Sequence, residues 1–159
     1  MNVSTMIDEL VVHIKKLTTT LQFTTPKGAH RAPQVVDGYL PPKDPKNHNT
    51  TEDFPYVIVR YLSDETDEEG ATAQVKVICG VYSDDDRQGW RDLLNLMSSI
   101  KTFLLSNRLF GGCFSVELPL KREIPEEQPV PEWQGVLTLN VSIPSIMEVD
   151  EDVQKIFSR

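Results

Sequence analysis

The chain has 159 residues, enough for one domain that buries about 68–70% of its unfolded surface without disulfide or metal staples. With 24 acidic against 16 basic residues its formal net charge is -8, which argues against a phosphate-binding groove as its main business, because nucleic-acid affinity rests largely on Lys and Arg. Cys79 and Cys113 are the only cysteines and form no CxxC pair, the sequence holds no apolar run of membrane-spanning length, and the opening MNVSTMIDEL carries Asp8 and Glu9 where a secretory leader would be apolar, so a chain kept in a reducing cytoplasm is expected.

Residues 4–17 predict a helix. Met6, Ile7, Leu10, Val11, Ile14 and Leu17 recur at helical spacing, Ser4 or Thr5 can cap it, and Asp8 and Glu9 suit the positive end of its dipole. The stretch LTTTLQFTT then predicts a short strand. From Pro26 to Pro55 six prolines break regular structure, and residues 26–53 read as a proline-rich loop that orders against a neighbour and whose removal, over 27–50, leaves the fold intact. Within it QVVDGYL can make a short strand. YVIVRYL (56–62) and AQVKVICGV (73–81) predict a hairpin, with the acidic SDETDEEG as its turn. Ala73, Val75, Val77, Cys79 and Val81 share one face of the second strand, which makes Cys79 a buried thiol.

Residues 85–106 give the clearest helix. Its apolar stripe is Trp90, Leu93, Leu94, Met97, Ile100, Phe103 and Leu104; one of Asp84, Asp85 and Asp86 caps it, and Asn107 or Gly111 ends it. CFSVEL predicts a strand, and 133–143 a long one with Trp133, Gly135, Leu137, Leu139, Val141 and Ile143 on one face. Between them Pro125, Pro129 and Pro131 hold the connection extended. Both Trp90 and Trp133 fall on apolar faces and read as core or subunit-interface residues. Residues 146–159 form an acidic C-terminal tail with Val149, Val153 and Ile156 at helical spacing. The expected fold class is α+β: a mostly antiparallel sheet, a long helix and an N-terminal helix packed on it, and extended loops or arms, in a single domain over 1–145.

Motifs for chemistry are scarce. Neither phosphate-binding glycine pattern occurs, FGGCF lacks a following helix and reads as a turn, and no GxSxG elbow is present. Asp84, Asp86, Gln88 and Gly89 match the start of a calcium loop, but Asn95 stands where a bidentate Glu belongs, so helix capping is the better reading. His13, His30 and His48 lack ligand-pair spacing and read as surface histidines. No catalytic residue, metal or cofactor is expected.

Three stretches carry a resemblance: PYVIVRYLSDETDE, VICGVYSDDDRQGWRDLLNLMSSIKTFLL and PLKREIPEEQPVPEWQGVLTLNVSIPS. In that order they resemble the tail terminator (tail completion) family of long-tailed bacteriophages and prophages, beside the head–tail joining proteins of the neck. The resemblance covers about residues 54–145. It implies a structural virion protein whose α+β subunits close a hexameric ring on the tail tube and offer a surface to the head connector or neck protein, with DNA passing through unbound. Made in the host bacterial cytoplasm, it would reside in the virion tail or neck. A neck or head-completion protein on the connector side is the alternative, and a metal-dependent hydrolase using Asp84, Asp86 and a histidine a distant one. Six subunits would carry roughly six times the single-chain charge of -8. Under this resemblance Asp64, Glu65, Asp67, Glu68, Glu69, Glu148, Asp150, Glu151 and Asp152 are candidates to face the channel or an assembly partner, unless they only solvate an edge. Tyr39, Leu40 and His48 are candidates for a partner-contacting loop.

Overall fold

The structure, a computed structural model, describes residues 2–40 and 53–144. In chain order it runs α1 (Val3–Thr18), β1 (Phe23–Thr24), β2 (His30–Arg31), β3 (Gln34–Asp37), β4 (Tyr56–Asp67), β5 (Gly70–Tyr82), α2 (Asp86–Ser106), β6 (Leu109–Phe110), β7 (Phe114–Glu123) and β8 (Glu132–Ile143). β1 and β2 form a small antiparallel ribbon; the other six strands form one sheet in the order β3-β4-β5-β8-β7-β6. Every neighbour in that sheet is antiparallel except β3 on β4. The fold is therefore α+β, with two helices among the described residues on a mostly antiparallel sheet.

α1 begins one residue earlier than its apolar spacing suggests. Asn2, rather than Ser4 or Thr5, is the cap, and its side-chain oxygen accepts from the Thr5 N–H at 2.8 Å. That shift moves Asp8 and Glu9 out of the first turn. The buried face of α1 is Met6, Ile7, Leu10, His13, Ile14 and Thr18; Val11 and Leu17 are only half-buried. Asp85 caps α2 by accepting from the Arg87 N–H at 2.9 Å, and Asn107 ends it, its side-chain NH₂ donating to the Phe103 carbonyl.

The stripe on α2 is rotated from the expected one. Gly89, Leu93, Leu96, Met97, Ile100 and Leu104 face the core, while Leu94 and Phe103 are half-buried and Trp90 is 40% exposed. The cause is Trp133. Its indole lies where a Cβ on Gly89 would stand, so the glycine takes the inward position and Trp90 turns outward. There the Arg91 guanidinium lies 4.7 Å from the Trp90 ring centre. Trp90→Ala should thus cost about 1 kcal/mol or less, read as a shift in urea midpoint, the range of a surface substitution with one exposed cation–π contact.

Both helices cover the same face. β8 shows why: Trp133, Gly135, Leu137, Leu139, Val141 and Ile143 are buried, and the residues between them are half-buried. With α1, α2 and the inward residues of β4, β5 and β7 they make the main core. On the far face lies a smaller cluster, Phe54, Tyr56 and Ile58, packed by Val36, Leu40, Ile78 and Tyr82. Gly80 makes room for the Tyr56 ring there.

The expected proline-rich loop is structured in its described part. β2 pairs back on β1, and β3 pairs in parallel with β4 from Gln34↔Tyr56 to Asp37↔Val59. Val35 joins the main core. The acidic run is likewise corrected. Ser63 to Asp67 belong to β4 itself, opposite Gly70 to Gln74, after a register shift between Tyr61 and Ser63. The turn proper is Asp67 to Gly70, with Gly70 at φ +132°. At FGGCF the expected turn is present between β6 and β7, with both glycines at positive φ.

Candidate assembly surfaces

The end of the β4–β5 hairpin gathers five of the candidate acids. Asp64 stands opposite Ala73 and Glu65 opposite Thr72, so the two carboxylates lie on opposite faces of the sheet. The Tyr61 hydroxyl donates to Asp64, and this bond to the carboxylate raises the phenol's pKa. Asp67 accepts from the Glu69 N–H at 2.8 Å, which folds the turn and leaves Glu68 and Glu69 exposed at its tip. An open hollow of about 430 Å³ is lined by Ser63, Asp64, Glu65, Thr72, Gln74 and Asn140. It is polar, with carboxylates the only charges, and suits a basic or hydroxyl-rich surface rather than an anion.

Tyr39 and Leu40, adjacent in sequence, part company. Tyr39 is 72% exposed and lies flat under the Arg60 guanidinium, 4.0 Å from its ring centre, while the Arg60 Nε–H donates to the Gly38 carbonyl at 3.0 Å. Leu40 turns in to the far-face cluster. Tyr39 is thus an exposed ring and Leu40 is structural. His48, Glu148, Asp150, Glu151 and Asp152 lie outside the described residues.

His13 is not the surface histidine expected. It is buried, packed between the Phe103 and Phe110 rings at 4.7 and 5.5 Å, and its Nε2–H donates to the Asn107 carbonyl at 2.7 Å. It ties α1 to the last turn of α2, at the floor of an open hollow of about 790 Å³ whose rim includes Lys16, Leu105, Arg108 and Leu109. Nothing local in VVHIKK marks the role; the only signal is that position 13 falls between Leu10 and Ile14 on the helix's inward arc. Burial pushes the His13 pKa down, the bond to Asn107 partly opposes it, and Lys16 adds to it. The folded protein therefore favours neutral His13. Its stability contribution is whole above the ordinary histidine range, near 6.5, and declines as pH falls from there through the lowered folded value. His13→Gln should flatten that part of the curve: between pH 7.5 and 5 the variant's urea midpoint should fall less than the wild type's.

The start of α2 is not a calcium loop. Asp85 is the cap, Asp84 faces the Tyr82 hydroxyl at 3.4 Å, and Asp92 accepts from Gln88. Among the described residues no group of three or more His, Cys, Asp or Glu is placed to hold a metal ion, so the Asp84, Asp86 and histidine set of a hydrolase is not assembled by the described part of the chain. Cys79 is fully buried with its thiol pushed up to about 12, an inert core group, and Cys113 is half-buried at the β6–β7 turn. No helix among the described residues is long and apolar enough to cross a membrane. No protein-family model matches the chain, and a search of curated proteins finds no match either.

Proposed function

We propose that this chain is a structural subunit, not an enzyme, that assembles with copies of itself into a ring at the head-proximal end of a long phage tail, as a tail terminator. The reading starts from the ordered resemblance of residues 54–145. It is supported by one architectural observation: both helices cover one face of the sheet, while the far face beyond the Phe54, Tyr56 and Ile58 cluster, the exposed carboxylates of the β4–β5 hairpin and most of the edges of β4 and β7 stay open among the described residues. A ring subunit must meet a neighbour on each side and a partner above and below, so it needs such surfaces more than a closed pocket. The long helix α2, 21 residues and about 30 Å, braces β5 and β8 from one side, and the hairpin serves as an arm. The proposed partners are the tail tube protein below and a connector or neck protein above, with DNA crossing the ring unbound, and the proposed location is the virion.

The test is direct. Purified protein mixed with tail tubes of the cognate phage should form rings seen by electron microscopy at one end of each tube, and should stop further tube growth. Protein that binds portal or connector rings and ignores tubes would move it to the neck; protein that binds neither would overturn the reading.

A further inference from the structure

The two sides of the sheet are complementary. On one side β3 covers β4 only from Tyr56 to Val59, so among the described residues the outer edge of β4 from Arg60 to Asp67 has no strand beside it. On the other side β6 covers Phe114 and Ser115 of β7, and the Arg108 carbonyl takes the Val116 N–H, so among the described residues the outer edge from Glu117 to Glu123 has no strand beside it. The first open edge is acidic, with Asp64, Glu65 and Asp67. The second carries Lys121 and Arg122 between Glu117 and Glu123, with Glu123 ion-paired to Lys121 at 2.7 Å and Glu117 to Arg108 at 3.1 Å. Long open edges invite pairing, and charge decides with whom.

We propose that the open edge of β4 in one copy pairs with the open edge of β7 in the next, extending the sheet from subunit to subunit. This deepens the ring reading and rests on it. Three features of the fold agree. Direction is the first. Across the order β4-β5-β8-β7 each step is antiparallel, so β4 and β7 run in opposite senses. A second copy set alongside in the same orientation therefore brings its β7 antiparallel to β4.

Facing is the second. Asp64, opposite buried Ala73, is on the helix side, and Glu65 is on the far side. Arg122, opposite buried Leu137 and bonded to Ser98 of α2, is on the helix side, and Lys121, opposite Thr138, is on the far side. Setting Asp64 across from Arg122 automatically sets Glu65 across from Lys121, both as same-face pairs. The same register puts Thr66 across from Leu120 and Ser63 across from Glu123. Leu120 packs toward the helix-side core, as the register requires.

Fit is the third. In this register β3 and β6 each cover their own strand outside the shared stretch, Ser63 to Thr66 against Leu120 to Glu123. β7 departs from β8 pairing between Glu117 and Lys121 and contains Pro119, which donates no hydrogen bond, so the new ladder is confined to about four residues. A short ladder with two ion pairs is weak per joint and salt-sensitive, as a ring that must close reversibly requires. The charges also weigh against β4 on β4, which opposes acid to acid. The β4–β7 joint is heterologous, and a heterologous joint that closes makes a ring.

The test is sedimentation of the full chain in low salt with charge-reversed variants, all four positions being exposed. Wild type should assemble, and added salt should dissociate it. Asp64→Lys with Glu65→Lys should remain monomeric to at least about tenfold higher concentration, as should Lys121→Glu with Arg122→Glu. The four changes combined in one chain should restore assembly. A mixture of the two double variants should assemble too, since each edge then meets its opposite on the other variant. Rings that form equally well with either edge reversed, or a fourfold variant that stays monomeric, would overturn the pairing and leave the ring reading in place. A wild type that is monomeric at every concentration in low salt would overturn both.

Discussion

Trp133→Ala is expected to lower stability by about 3–5 kcal/mol, the range for removing a buried aromatic from a core that cannot collapse around the gap. Trp133 is 7% exposed at the start of β8, where its indole lies on Gly89 in the first turn of α2 and its Nε1–H donates to the Ser83 carbonyl at 3.1 Å. The side chain thus pins the joint between β5 and α2 to β8, and its loss leaves a cavity under a helix terminus together with a backbone carbonyl short of a partner. Gly89→Ala provides the companion measurement. Its Cβ would run into the indole, so it should destabilise by about 1–3 kcal/mol despite alanine's better helix propensity. In the Trp133→Ala background the same change should become neutral or stabilising, because the obstacle is gone and propensity decides. Urea midpoints of the four proteins check this. Additive costs would mean that the two residues do not touch.

That contact also marks where the sequence stops being legible. Periodicity places the strands and both helices, because a buried face repeats every two or 3.6 residues whatever it packs against. It could not choose which arc of α2 faces inward. Trp90 looks like a core residue and Gly89 like a gap, and the order reverses only because an aromatic ring 44 positions away fills the space over the glycine. His13 is similar: its burial depends on Phe103, Phe110 and the Asn107 carbonyl, all supplied by distant chain. The acids at 63–67 read as a turn because Asp and Glu are poor strand formers. They are held in β4 by pairing with β5, which is itself held by β8. Of the candidate surface residues, the sequence identifies Tyr39 and the hairpin acids as exposed chemistry. It could not show that Lys121 and Arg122 stand at the opposite edge, since nothing in PLKRE indicates which strands remain unpaired.

The proline-rich stretch gives the second large effect. Deleting residues 27–50 should unfold the protein or bring it close to unfolding, the reverse of what a dispensable loop would do. The deletion removes β3 and its parallel ladder on β4, takes Val35 from the main core under α1, and takes Val36 and Leu40 from the far-face cluster. It also uncovers Tyr56 and Ile58, and the Asp53–Phe54 carbonyls lose the donors from Gln34 and Arg31. Fully burying one Val or Leu side chain contributes about 1.5–3 kcal/mol, so losing buried Val35 with half-buried Val36 and Leu40, together with the β3 ladder, takes a large part of the roughly 5–15 kcal/mol of a typical domain. The graded control is Val35→Ala, two methyl groups fewer at a site 7% exposed, expected to cost about 2 kcal/mol. Far-UV and near-UV circular dichroism with urea melts separate the cases. A cooperative melt of near wild-type midpoint after the deletion would mean that β3 is an accessory to the sheet. A lost or strongly weakened transition, with Val35→Ala intermediate, would make residues 34–40 part of the folding unit. The residues flanking β3 then have a plain role: Pro33 precedes the strand and Gly38, at φ +71°, follows it, limiting it to the four residues that β4 pairs and ending its coverage of β4 below the acidic edge.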